Sequence, residues 1–134
     1  MGQQQLLLIV LGVIIVGIAV VVGINLFNAN AEEATKDGIV SDCTNLGAMA
    51  QQHYKKPGSM GGGGNTFDGT GGVPNSVAWD VPANLATTAN GTYTAAVTAQ
   101  QVIITGQPLA NSGYNFTVTT TVDPLTIGTV VANN

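Results

Sequence analysis

Charge is scarce in this chain. Charged side chains make up 7% of the residues, and Lys36, Lys55 and Lys56 are the only cations. Three lysines cannot form the basic patch that a phosphate backbone requires, so nucleic acid is excluded as an electrostatic partner. The formal net charge is −4. A free-floating domain of this length generally carries more charge for solubility. A nearly neutral surface suits a subunit that packs against its copies. Cys43 is the single cysteine, which excludes an intrachain disulfide. Aromatic residues are 5% of the chain, too few for a conduction path through stacked rings.

Reactive groups are equally sparse. His53 and Cys43 are one of a kind, ten positions apart. On a helix that spacing separates them by roughly 15 Å, too far for a nucleophile–base pair within one subunit. No Cys-x-x-Cys-His motif is present for haem attachment. The expectation is a non-enzyme without a cofactor. Asp68, Asp80 and Asp123 fall in or beside loops, the setting in which calcium gathers oxygen ligands. Nothing in their spacing brings them together, so they are read as turn caps and no metal is expected.

Apolar residues, in contrast, are concentrated. Leu6 to Ile24 gives 19 consecutive positions without a charged or polar side chain. A helix crossing the hydrocarbon of a bilayer needs about 20 such residues. A secretory signal peptide is the rival reading. It would have a basic head, a shorter apolar core and a small-x-small cleavage site. The head here is Met1-Gly2-Gln3-Gln4-Gln5, without a cation. Ala29 and Ala31 give only a weak cleavage pattern, and the helical pattern continues past them.

After Phe27 the pattern becomes one-sided. Phe27, Ala31, Ala34, Ile39, Cys43, Leu46, Ala50 and Tyr54 recur mostly at steps of three and four, which is one helix face. Lys55, Lys56 and Pro57 mark the end, since cations suit a helix C-terminus and proline blocks continuation. One helix from near residue 2 to about residue 55 is predicted, apolar in 1–27 and amphipathic in 28–56. Gly38 interrupts the stripe and is expected to bend or loosen it. Gly12, Gly17 and Gly23 permit close helix–helix approach.

Residues 57–74 are Gly-rich, with Gly61 to Gly64 at the centre, and read as a flexible or irregular linker. No strand precedes them and no Gly-Lys-Ser/Thr follows, which excludes a phosphate-binding loop. From 75 to 134 a small antiparallel β-domain is predicted. Tyr93, Ala95 and Val97 alternate, and Val102 and Ile104 resume out of phase, so a bulge or strand break is expected near Gln100-Gln101. Phe116, Val118, Thr120 and Val122 alternate next, then Leu125, Ile127, Thr129 and Val131. Three or four strands cannot stand alone. The Ile39–Tyr54 stripe is their natural cover, giving an α+β fold. Asn90-Gly91-Thr92 and Asn115-Phe116-Thr117 fit the N-glycosylation sequon, so Asn90 and Asn115 are candidate glycan acceptors.

The run Gln5-Leu6-Leu7-Leu8-Ile9-Val10-Leu11-Gly12, continuing to Ala19, resembles the N-terminal signature of the type IV pilin family. The resemblance covers about the first 55 residues; the β-domain matches in general architecture only. It implies a subunit held in the inner membrane, processed by a prepilin peptidase and handed to the pilus assembly machinery. Identical subunits would then form an extracellular helical filament serving adhesion, attachment or motility. Gln5, Leu6, Leu7, Leu8, Ile9, Gly12, Gly17 and Gly23 would be its core contacts. The family's acidic residue is replaced by Gln5, and its helix proline by Val22. The resemblance also implies a processed, N-methylated start, placed at Met1; a start at Gln3 after a leader ending in Gly2 is the alternative. A pseudopilin of a secretion or DNA-uptake machine, and a monomeric bitopic protein displaying a ligand-binding β-domain, are the rival readings.

Overall fold

A computed structural model describes residues 2–133. It contains one long helix and one sheet. Helix α1 spans Gly2–Lys55, matching the helix predicted from near residue 2 to about residue 55. A single turn of 3-10 helix, Gly58–Met60, follows. The strands are β1 (Gly91–Val97), β2 (Val102–Pro108), β3 (Phe116–Val122) and β4 (Ile127–Asn133). They form one antiparallel sheet in the order β1-β2-β3-β4. The chain divides into two compact units, Met1–Ala34 and Thr35–Asn134. The second unit therefore holds the C-terminal part of α1 together with the whole sheet.

Within that second unit the helix stripe covers the sheet. Ile39, Cys43, Leu46, Gly47 and Ala50 are the buried helix positions. They meet Tyr93, Val102, Ile104, Phe116, Val118 and Val122, all buried. Burial starts at Ile39; the earlier stripe positions Phe27 and Ala34 are exposed. Length accounts for this. Seven-residue strands reach about 24 Å, the rise of about 16 helical residues, which is the stretch from Ile39 to Tyr54. Close contact is made through glycine. A Cβ on Gly106 would lie 2.7 Å from Ile39 Cγ2 and 2.9 Å from Cys43 Sγ. One on Gly38 would lie 2.8 Å from the Asn90 side chain. Gly38 thus does not interrupt α1; it makes room for Asn90.

The phase slip between β1 and β2 is a strand break of the hairpin kind. Val97 pairs with Val102, and Thr98 closes the four-residue loop by donating from its backbone N–H and its hydroxyl to the Gln101 carbonyl. In β3 the alternation is strict, with Phe116, Val118, Thr120 and Val122 buried and the threonines between them half-buried. In β4 it is lost. Ile127 is half-buried, the remaining positions are exposed, and Leu125 is 88% exposed in the preceding turn. As an edge strand β4 has a neighbour on one side only.

The Gly-rich segment is the irregular connection expected, but it is packed and hydrogen-bonded rather than loose. Its amides close the end of α1: Gly63 N–H donates to the His53 carbonyl, Asn65 to Tyr54 and Gly64 to Lys56. The His53 and Tyr54 carbonyls are among those that a helix end leaves without intrahelical partners, and Lys56 is the first residue beyond it. The segment then inserts Phe67, fully buried, beside the Tyr54 ring at 4.8 Å between centroids. Trp79 N–H donates to the Phe67 carbonyl, which brings a second buried aromatic onto the same core. The path admits no side chain at its tightest points. A Cβ on Gly62 would lie 2.3 Å from the Lys56 carbonyl oxygen, and one on Gly63 would lie 1.8 Å from that of Thr66.

Candidate assembly surface

The first unit carries the apolar run on a helix whose described residues are exposed from Leu6 to Phe27. From Leu6 to Phe27, seventeen large apolar side chains are exposed, from 49% at Val22 to 73% at Phe27. Covering the open half of each is worth about 1 kcal/mol, or on the order of 20 kcal/mol gross. That exceeds the net stability of a typical domain, about 5–15 kcal/mol. A bare stretch of this size in water marks an interaction surface. By length and composition the helix can cross a membrane, and none of its apolar window is buried in the chain.

Every core contact named from the resemblance lies on this stretch. Gln5, Leu6, Leu7, Leu8 and Ile9 are exposed. A Cβ on Gly12, Gly17 or Gly23 would meet nothing within 4 Å. Among the described residues no packing requires these glycines. Gly12 and Gly23 are eleven residues apart, about three turns, so they share a face with Ala19; Gly17 lies on another. Met1, the proposed processing and methylation position, lies outside the described residues.

The second unit holds a polar knot that the sequence reading missed. Asp42, on α1, accepts three hydrogen bonds at Oδ2: from Tyr93 Oη at 2.5 Å, Asn90 Nδ2 at 3.1 Å and Thr88 Oγ1 at 3.1 Å. Burial works to raise the Asp42 carboxyl, but the bonds from Tyr93, Asn90 and Thr88 prevail and hold it below the usual carboxylate range. Burial first, and then the bond to Asp42, push the Tyr93 phenol well above its usual range. Burial pushes the Cys43 thiol up to about 11, so it stays a protonated core residue. The knot joins helix to sheet. Beside it lies an open groove of about 390 Å³, lined by Asp42, Leu46, Met49, Gln52, Leu85 and Thr88.

The two sequon asparagines differ in setting. Asn90 is half-buried with its Nδ2 donating to Asp42; Asn115 is exposed just before β3. His53 sits near the end of α1 with Nε2 at 2.6 Å from the Val77 carbonyl. Each loop carboxylate binds its own turn, and Asp123 also reaches the β1–β2 loop. Asp68 accepts from the Thr70 amide and hydroxyl, Asp80 from the Val81 amide, and Asp123 from Thr126 and Gln101. Among the described residues no three His, Cys, Asp or Glu side chains group as a metal site.

No protein-family model matches the chain, and no curated protein or solved structure is similar to it.

Proposed function

We propose that this chain is the structural subunit of a type IV pilus-like filament. Its leading helices bundle as the core, and the α+β units form the outside. The observation that carries the reading is the bare apolar stretch of α1, running on into a helix segment already packed against its own sheet. Such a helix has two partners of the right chemistry. Lipid satisfies it first, because hydrocarbon leaves the backbone no alternative to helix. Copies of itself satisfy it afterwards, through small residues at Gly12, Ala19 and Gly23 that permit close approach. Gln5 is a neutral amide where the resembling family has a carboxylate, and it can still accept a hydrogen bond from a neighbour's terminal amine. In this reading the subunit waits in the inner membrane, is processed by a prepilin peptidase and leaves as an extracellular polymer. The resemblance of Gln5–Ala19 to the pilin signature supports it, as does the lack of charge.

The test is direct. Filaments sheared from expressing cells should contain this chain as their main component by mass spectrometry. Expressing cells whose only product is a detergent-soluble monomer would favour the bitopic reading instead. Short filaments confined to the periplasm would favour the pseudopilin.

A further inference from the structure

The polar knot uses only one oxygen of Asp42. All three of its bonds go to Oδ2, and among the described residues Oδ1 accepts none. The same carboxylate lines the open groove of about 390 Å³ beside the knot. Leu46, Met49 and Leu85 supply apolar lining there, and Asn45 and Gln52 add exposed amides. A concave site with an apolar lining and a few placed polar groups is the usual form of a binding site. Asp42 is the only charged residue of this lining, and the bonds at Oδ2 hold it ionised at neutral pH.

We propose that the groove takes a lysine side chain of a partner protein, its stem along Leu46, Met49 and Leu85 and its ammonium on Asp42 Oδ1. The proposal does not depend on the filament reading. Charge decides the sign of the ligand. An ionised Asp42 repels carboxylates and phosphates, and a net charge of −4 draws a basic partner. The apolar lining decides the stem, because lysine lays a four-carbon chain along apolar surface and keeps its charged head at a polar group. The hydrogen bonds decide between the two cationic side chains. A guanidinium binds a carboxylate best as a fork on both oxygens. Oδ2 already accepts three bonds, which leaves one oxygen and favours the compact ammonium. The amides of Asn45 and Gln52 can donate to and accept from the peptide backbone that carries the lysine, a contact that a free small amine leaves unused. A second copy of this chain is a poor occupant, since copies of like net charge repel.

The experiment titrates the full chain in non-ionic detergent, isotope-labelled at its methionine methyl groups, and reads their NMR shifts. Met49 lines the groove, and Met60, exposed in the 3-10 turn, is the internal control. The probe is the blocked peptide acetyl-Ala-Lys-Ala-amide. It should move Met49 saturably, with a Kd on the order of millimolar for one side chain, and leave Met60 in place. The arginine peptide should bind about threefold or more weaker, for want of the second oxygen. The norleucine peptide, which keeps the stem and loses the charge, should bind about tenfold or more weaker. Asp42→Asn should weaken the lysine peptide by about tenfold or more. Asn45→Lys, at an exposed position that takes no part in the knot, should do the same with a native Tm, by setting a cation beside Asp42. Lysine, arginine and norleucine peptides that bind alike, or no saturable shift at Met49, overturn the proposal. So does n-butylamine binding as tightly as the peptide, which would assign the groove to a free amine. A Met49 shift that follows protein concentration without peptide would assign it to a second copy and overturn the proposal too. The filament reading stands apart from every one of these results.

Discussion

Replacing Tyr93 by Phe removes one hydroxyl and tests how the helix is held to the sheet. Tyr93 is 3% exposed, and its hydroxyl donates to Asp42 Oδ2 at 2.5 Å. Phe fills the same volume, so no cavity term enters. A hydrogen bond to a charged group contributes about 1.5–3 kcal/mol. Asp42 keeps Asn90 and Thr88 and is partly open to water, which places the loss near the lower end, about 1.5 kcal/mol. For a unit of roughly 100 residues that is a fall in Tm of about 6–12 °C. The assay is thermal unfolding of the full chain in detergent, followed by Trp79, which is buried on the same core. Asp42→Asn should cost a similar amount. The double variant should lose much less than the sum, because both changes break one bond. A Tyr93→Phe loss below about 0.5 kcal/mol, or strict additivity in the cycle, would refute the reasoning.

Gly63→Ala should unfold or severely destabilise the chain, by about 3 kcal/mol or more, because its Cβ would lie 1.8 Å from a carbonyl oxygen. Gly128→Ala, with nothing within 4 Å, should change stability by less than about 1 kcal/mol, and urea unfolding separates the two. Stability should fall as pH rises above 9.0, because Cys43 and then Tyr93 hold their protons in the folded chain to higher pH than in the unfolded one. Tm measured from pH 7 upward checks this, and Tyr93→Phe should remove the tyrosine share. Asp42 has the opposite sign: its contribution is present above 3.8 and is lost as pH falls through its lowered value. Gly12→Leu with Gly23→Leu should leave the Tm of the Thr35–Asn134 unit unchanged, since both sites are open within the chain, yet abolish filaments in shear preparations.

The helix and the strands were legible because their signals are periodic and local. The Ile39–Ala50 stripe and the Phe116–Val122 alternation each announce the face that is buried. Gly62 to Phe67 were not legible. Their role depends on carbonyls of residues 53 to 56, and glycine tracts read alike whether they are loose or forced into contact. Phe67, a lone aromatic among glycines, was the available clue. Asp42 lies off the apolar stripe and resembled a solvated charge; its partners come from 46 to 51 residues away. The alternation of β4 was misleading, because period-two patterning does not tell a covered strand from an edge strand whose inner face is open. The bare apolar stretch was the most legible part, since an uninterrupted apolar run needs no tertiary context to be noticed.

Helical reconstruction of native surface filaments is the most direct measurement of how the leading helices are used. Residues Leu6 to Ile24 of many copies should appear side by side in one axial bundle, with the sheets outside it. Filaments whose axis holds sheet, or in which these helices lie separated from one another, would contradict the account.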